Sequence, residues 1–257
     1  MTEPLLRVRG LDKSFGRVAA CRGVSLDLWP GEVLGIVGES GSGKTTLLRC
    51  LAGELDPTEG TVEFRAAEAP FEDVYRMGEA RRRFLMRTQW GIVHQNPRDG
   101  LRLRVSAGGN VGERLMAAGE RHYGRIRAEA VAWLDRVELD PARIDELPAL
   151  FSGGMQQRLQ IARILVSRPR VVYLDEPTGG LDVSIQARLL DLLRRLVRDL
   201  ALAVVIVTHD LGVARLLTDR LMVMRRGEVV EEGLTDQVLD DPHHAYSQLL
   251  VSSVIGA

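Results

Sequence analysis

The stretch Gly38-Glu39-Ser40-Gly41-Ser42-Gly43-Lys44-Thr45-Thr46 restricts the possible folds of this chain more than any other. The apolar run Val33-Leu34-Gly35-Ile36-Val37 precedes it and Leu47-Leu48-Arg49-Cys50-Leu51 follows it, so the local order is strand, glycine loop, helix. A triphosphate needs many hydrogen-bond donors in a small space, and successive backbone N–H groups supply them only where side chains stay clear. Gly38, Gly41 and Gly43 meet that need, at the spacing of a complete P-loop. Lys44 can place its ammonium on the β- and γ-phosphates, and the Thr45 hydroxyl can enter the coordination shell of Mg²⁺. The expected ligands are therefore ATP and Mg²⁺.

The remainder of the 257 residues is long enough for one two-part domain or two small ones, and 45% hydrophobic content supports a substantial core. A net charge of −1 with 27% charged residues gives no global attraction to nucleic acid or an anionic membrane. Any partner must be recognised locally. Cys21 and Cys50 lie in apolar or helical surroundings and are not closely spaced, which suits reduced thiols in a cytoplasm rather than a zinc site or disulfide. The start Met1-Thr2-Glu3-Pro4-Leu5-Leu6-Arg7 lacks the basic and apolar regions of an export signal. The longest apolar run, Leu200 to Val207, is far short of the ~20 residues a membrane span needs, so no direct membrane insertion is expected.

Leu5 to Leu11 and Gly23 to Trp29 read as strands, the second closed by the Pro30-Gly31 turn. Phe15, in Lys13-Ser14-Phe15-Gly16, could stack on adenine, although an aromatic beside a glycine is more often core. Pro57 to Gly60 turns into the strand Thr61 to Phe64. Residues 65–90 are looser, and their cluster Arg81, Arg82, Arg83 and Arg87 reads as the solvated face of a helix. Trp90 to Gln95 is another strand, after which helices are expected to about residue 165, with apolar spacing at 111–118 and 126–137 and a turn at Ser106-Ala107-Gly108-Gly109.

Phe151-Ser152-Gly153-Gly154-Met155-Gln156 opens a further helix, with Ser and Gly where a helix start leaves N–H groups unpaired; capping and anion binding both fit. Arg170 to Pro177 is an apolar strand ending in Asp175 and Glu176. Adjacent acids at the end of a buried strand point to a cation or a proton transfer, with Asp175 on Mg²⁺ and Glu176 polarising the attacking water. The helix from Ile185 to Leu200 leads to the strand Ala203 to Val207, and His209 follows. Alone, His209 is more often a structural residue, but at the carboxyl end of an α/β strand it would face a ligand crevice. A hairpin around Arg225-Arg226-Gly227 and a short helical tail complete the chain, with His243 and His244 read as exposed tail.

The ordered set resembles the ATP-binding-cassette (ABC) ATPases over essentially the whole length. The resemblance implies an α/β fold: an ABC-type P-loop core with a β-rich N-terminal subdomain over 1–95 and 166–230, an inserted α-helical subdomain over 96–165, and a tail over 231–257. It implies that Phe15 stacks on adenine, Gln95 senses metal and γ-phosphate, and Glu176 and His209 are catalytic. It also implies that Thr45, Gln95 and Asp175 surround Mg²⁺. Ser152, Gly153, Gly154, Met155, Gln156 and the Asp182 of Gly179-Gly180-Leu181-Asp182 would act across a dimer, on the nucleotide of a second ABC subunit, most simply a second copy. Phe15 stands here for the family's usual tyrosine, Met155 for a usual glutamine, and Gly179-Gly180 for the usual small pair. Within the family, Leu28 to Ser40, Val105 to Asn110, Arg121-His122-Tyr123-Gly124, Thr178 to Ser184 and Val238 to His244 are most similar to the ATPase subunits of bacterial carbon-phosphorus lyase systems. That similarity implies a partner among the lyase core subunits; the motor of an oligopeptide- or phosphonate-type importer is the other reading.

Overall fold

The computed structural model describes residues 3–66 and 69–255. Met1, Thr2, two positions of the looser 65–90 stretch and the end of the expected tail, 256–257, lie outside the described residues. The chain opens with strands β1 (Leu6–Phe15), β2 (Val18–Leu28) and β3 (Val33–Val37), then helix α1 (Lys44–Leu51) and strands β4 (Glu59–Phe64) and β5 (Glu72–Asp73). Helix α2 (Glu79–Thr88) and strand β6 (Trp90–Val93) lead into α3 (Pro97–Gly100), α4 (Ala107–Ala117), α5 (Tyr123–Arg136), two short 3-10 turns, and α6 (Gly153–Leu165). Strand β7 (Val171–Asp175), α7 (Val183–Asp199), β8 (Ala203–Val207), α8 (Leu211–Leu217), β9 (Arg220–Arg225), β10 (Glu228–Leu234), α9 (Thr235–Asp240) and α10 (Ala245–Ile255) complete it.

Two sheets form: an antiparallel one in the order β2-β1-β4-β5, and a six-stranded one in the order β10-β9-β3-β8-β7-β6. In the larger sheet β9, β3, β8, β7 and β6 run parallel and β10 is an antiparallel edge. Strands β3, β7 and β8 are buried at every position, which is why they read as continuous Val, Ile and Leu runs instead of alternating ones. Register places Val37, Val93, Asp175 and Val207 at one edge of this sheet, so the loops after β3, β6, β7 and β8 emerge together.

Helix α1 sits between the sheets with Leu47, Leu48, Cys50 and Leu51 fully buried. Each of those leucines contributes about 2–3 kcal/mol of apolar burial, which fixes the helix carrying Lys44 and Thr45 to the sheet. A second core lies between α4, α5, α6 and α7 and the sheet, and a third joins Val37, Val223, Val238, Leu239 and Tyr246. Both thiols are free and buried; burial pushes Cys21 up to about 12 and Cys50 up to about 11, leaving both inert.

Several local readings change. The first strand runs four residues beyond Leu11 to Phe15, because β2 also begins early, at Val18, and pairs with it. The expected turn at Ser106 to Gly109 is a helix start: Ser106 Oγ accepts from the Gly109 N–H at 3.2 Å, and α4 continues through both glycines. Gly108 lies so close to Ile144 that a Cβ there would stand 2.5 Å from its Cγ1, so the glycines serve helix packing and not a bend. The arginine cluster behaves as read: Arg81 pairs with Glu72, Arg82 with Asp56 and Arg83 with Glu79. The tail is more built than expected, since the Glu231 carboxylate accepts from the N–H groups of His243 and His244 at 2.7 and 3.1 Å. Among the described residues no helix is long and apolar enough to cross a membrane.

Candidate active site

The four loops at the sheet edge enclose an open cavity of about 910 Å³. Ser40, Gly41, Gly43, Lys44, Thr45 and Thr46 of the glycine loop line it together with Gln95, Glu176 and His209. The remaining lining comes from the β1–β2 turn, the first residues of β2 and the β9–β10 turn, and includes Arg17, Arg22 and Arg226. Those three guanidiniums have no motif to mark them; the β1–β2 and β9–β10 hairpins bring them to the loop.

The glycine loop is wedged between backbone segments. A Cβ on Gly38 would stand 2.1 Å from the Met224 carbonyl oxygen, and one on Gly43 2.0 Å from that of Ala20; both residues have positive φ, +149° and +105°. Only glycine fits either place. The Gly227 N–H donates to the Ser42 carbonyl at 2.9 Å, bracing the loop from the β9–β10 turn. Inside the loop, Lys44 Nζ donates to the carbonyls of Gly38 and Glu39, both at 2.8 Å, and lies 3.4 Å from Ser42 Oγ. Burial lowers the Lys44 ammonium from its ordinary value, opposed by the charges of Glu176, Asp175 and Glu39. Gly38, Glu39 and Ser42 thus build the loop, while its other members face the cavity.

Thr45 and Asp175 meet although they are far apart in sequence: the Thr45 hydroxyl donates to Asp175 Oδ1 at 3.0 Å. Burial raises the Asp175 carboxyl above its ordinary value, the Thr45 bond opposes this, and Glu176 adds to it. A buried carboxylate beside a hydroxyl that lines the cavity offers the hard oxygen ligands that Mg²⁺ prefers. Among the described residues no group of three or more His, Cys, Asp and Glu side chains could cage a metal alone. The donor set therefore fits an ion that shares its shell with phosphate oxygens.

Glu176 is held from two sides. His209 Nδ1 lies 3.0 Å from its Oε1, and Gln95 Nε2 donates to its Oε2 at 3.3 Å. Its backbone has φ +43°, left-handed and costly for a glutamate, at the turn where β7 ends. The Glu176 N–H donates to the Val207 carbonyl, which locks this conformation to the neighbouring strand. Gln95, expected beside the metal ligands, has its amide on Glu176. Gly179 lies against both, with a Cβ position 3.1 Å from Gln95 Nε2, so the Gly179-Gly180 turn packs onto the same group.

The other expected site residues lie outside the cavity lining. Phe15, expected to stack on adenine, is 52% exposed and not part of the core; it stands beside Arg17 and Val18, with Lys13 Nζ 5.2 Å from its ring centre. Ser152 caps α6, its Oγ accepting from the Met155 N–H, and Ser152 and Gly153 are exposed. Gln156 is buried and donates to the carbonyls of Pro148 and Phe151, while Met155 Sδ accepts from Arg143. Both turn into their own chain. Gly154 packs against Ile185, and Asp182 caps α7 by accepting from Ser184 Oγ and the Ile185 N–H.

The profile of the family described as ABC transporter matches residues 21–179. The phosphonates utilization ATP-binding protein PhnK of Escherichia coli K12 is 65% identical over 99% of each chain. The dipeptide transport ATP-binding protein DppD of Bacillus subtilis 168 is 35% identical over 98% of this chain and 77% of its own length. Among solved structures, the dimeric ABC transporter cassette MJ0796 superposes with a TM-score of 0.80 at 30% identity, covering 90% of this chain and 98% of that one. The same cassette is also known as a dimer in a post-hydrolysis state bound to ADP and Pi, with a TM-score of 0.79. The α/β architecture with its antiparallel sheet and helical insert is the ABC cassette fold, and this chain belongs to the ABC transporter family as an ABC-type P-loop ATPase.

Proposed function

We propose that this chain is the ATPase subunit that docks on a carbon-phosphorus lyase core and couples ATP hydrolysis to phosphonate breakdown. The observation that carries this reading is the 65% identity to PhnK along 99% of both chains, against 35% to DppD, which is the longer protein. The chemistry of carbon-phosphorus cleavage belongs to the partner. The importer-motor reading rests on the peptide-transport relatives, which match nearly the whole chain at lower identity.

In the proposed cycle the loop N–H groups and Lys44 bind the phosphates, and Phe15 stacks on the base beside Arg17 and Val18. Thr45 and Asp175 hold Mg²⁺, which when bound neutralises charge on the β- and γ-phosphates. Glu176 accepts a proton from the attacking water. His209 and Gln95 fix its two carboxylate oxygens, so the acceptor is oriented before the water arrives. A second cassette supplies Ser152 and the α6 N-terminus to the γ-phosphate, while Asp182 lies at the seam. Met155 and Gln156 support that helix start from within their own chain. Gln95 leads directly into α3 and the helical segment, a path by which ATP-driven closure reaches the partner.

The deciding experiment is affinity capture of the native protein from a source that makes both kinds of partner. Lyase core subunits co-purifying at fixed stoichiometry support the proposal; a permease without lyase subunits overturns it. For the dimer, Glu176→Gln with ATP is expected to run as a dimer on size exclusion, and Ser152→Glu in that background as a monomer.

A further inference from the structure

We infer that Tyr246, on the C-terminal helix α10, is a positioning residue for the nucleotide loop, its hydroxyl holding the first peptide of that loop in place. The Glu39 N–H donates to Tyr246 Oη at 2.9 Å, across 207 positions of sequence. The same residue's carbonyl accepts from Lys44 Nζ. Both polar groups of the Glu39 backbone are thus committed, one to the catalytic lysine and one to the tail. The hydroxyl that satisfies this N–H comes from outside the cavity lining.

The hydroxyl is a fixed acceptor. Tyr246 is 6% exposed and packs with Val37, Val223, Val238 and Leu239, and the Arg225 guanidinium lies 4.7 Å over its ring. The entry to α10 is pinned by Glu231 of β10, whose carboxylate accepts from the His243 and His244 N–H groups, while His244 Nδ1 accepts from the Tyr246 N–H at 3.0 Å. Burial would raise the Glu231 carboxyl, but the neighbouring Ser247 side chain and the His243 and His244 N–H groups together bring it below the usual carboxylate range. The contacts therefore run without a gap from β9 and β10, through the tail, to the start of the loop. Gly227, in the turn between the same two strands, donates to the Ser42 carbonyl, so the loop is held at two points, by that turn and by α10. The tail is part of the frame that presets the loop for phosphate.

The inference rests on the reading of residues 38–46 as the nucleotide loop. Its test is Tyr246→Phe in the full-length protein, which keeps the ring, its burial and the contact with Arg225 and removes only the acceptor. Affinity for a fluorescent ATP analogue is expected to weaken roughly 3- to 10-fold, the loss of one buried hydrogen bond expressed as binding. Amide exchange at Glu39 is expected to quicken while Val33 to Val37 exchange as in the wild type. Unchanged affinity overturns the inference, as does a uniform rise in exchange through β3, which assigns Tyr246 to packing alone. Lys44→Ala is measured in parallel: if it keeps wild-type affinity for the analogue, the loop reading itself fails, whereas loss in Lys44→Ala with none in Tyr246→Phe rejects only the role of the tail.

Discussion

Replacing Gly43 by alanine tests whether the loop is shaped by backbone crowding or merely tolerates it. The added Cβ would stand 2.0 Å from the Ala20 carbonyl oxygen and 3.2 Å from its carbon. Ordinary contact begins about 3.5 Å away, so a gap of more than about 1 Å must open. Neither side yields easily, since Ala20 lies within β2 and Gly43 is the N-cap of α1, accepting from the Leu47 N–H at 2.9 Å. The φ of +105° adds roughly 1–3 kcal/mol of backbone strain for any side chain. The least costly response shifts the loop, and a misplacement of about 1 Å at phosphate donors lowers turnover about 100-fold. Gly41→Ala is the control: φ is +79°, but nothing lies within 4 Å of its Cβ position. In the nucleotide-free protein it meets only the left-handed penalty of about 1–2 kcal/mol, about 10-fold if wholly expressed in binding, so its folded stability should stay above that of Gly43→Ala. The assays are steady-state ATPase rate and analogue affinity on both variants. Gly43→Ala within threefold of wild type, or Gly41→Ala the more damaging, would refute the crowding argument.

Three further outcomes are expected. Glu176→Gln removes the proton acceptor between His209 and Gln95, so single-turnover hydrolysis should fall about 10²–10⁴-fold with ATP affinity retained; an unchanged rate assigns the base elsewhere. Asp175→Asn should stabilise the nucleotide-free protein at neutral pH. Because burial raises the Asp175 carboxyl in the folded state, its ionisation costs stability as pH rises from the ordinary Asp value through the raised one. The gain in melting temperature should therefore be full above the raised value and vanish below about pH 4, while Mg²⁺-dependent ATP affinity is lost. Arg114→Leu removes a guanidinium whose Nη1 donates to the carbonyls of Met86, Arg87 and Trp90 at 2.9–3.1 Å, tying α4 to the end of α2. Urea unfolding should show a loss of about 2–4 kcal/mol, and a loss below 0.5 kcal/mol would mean that water replaces those bonds.

Legibility from sequence followed the range of the interactions involved. The P-loop and the paired acids are legible because each is a short run whose residue types have few other uses, whereas His209 is legible only from its place just after a buried strand. The strands that carry them were readable because a strand buried on both faces must be continuously apolar. The Ser106 to Gly109 segment was misread as a turn because its glycines answer to Ile144, a neighbour absent from any local window. Read alone, Phe15 points to the core because burial dominates aromatic statistics, yet its place at the end of β1 leaves it exposed.

Residue type and chain order thus specified the phosphate loop, the acids and the order of elements, since these depend on local backbone geometry and on the period of apolar residues. Three-dimensional packing alone decided which groups meet. Thr45 joins Asp175, Glu176 is held by Gln95 and His209, three arginines from two hairpins line the cavity, and Tyr246 reaches Glu39 from the far end of the chain. The parallel sheet brings the ends of distant strands to one edge, and no local pattern encodes which loops will share it.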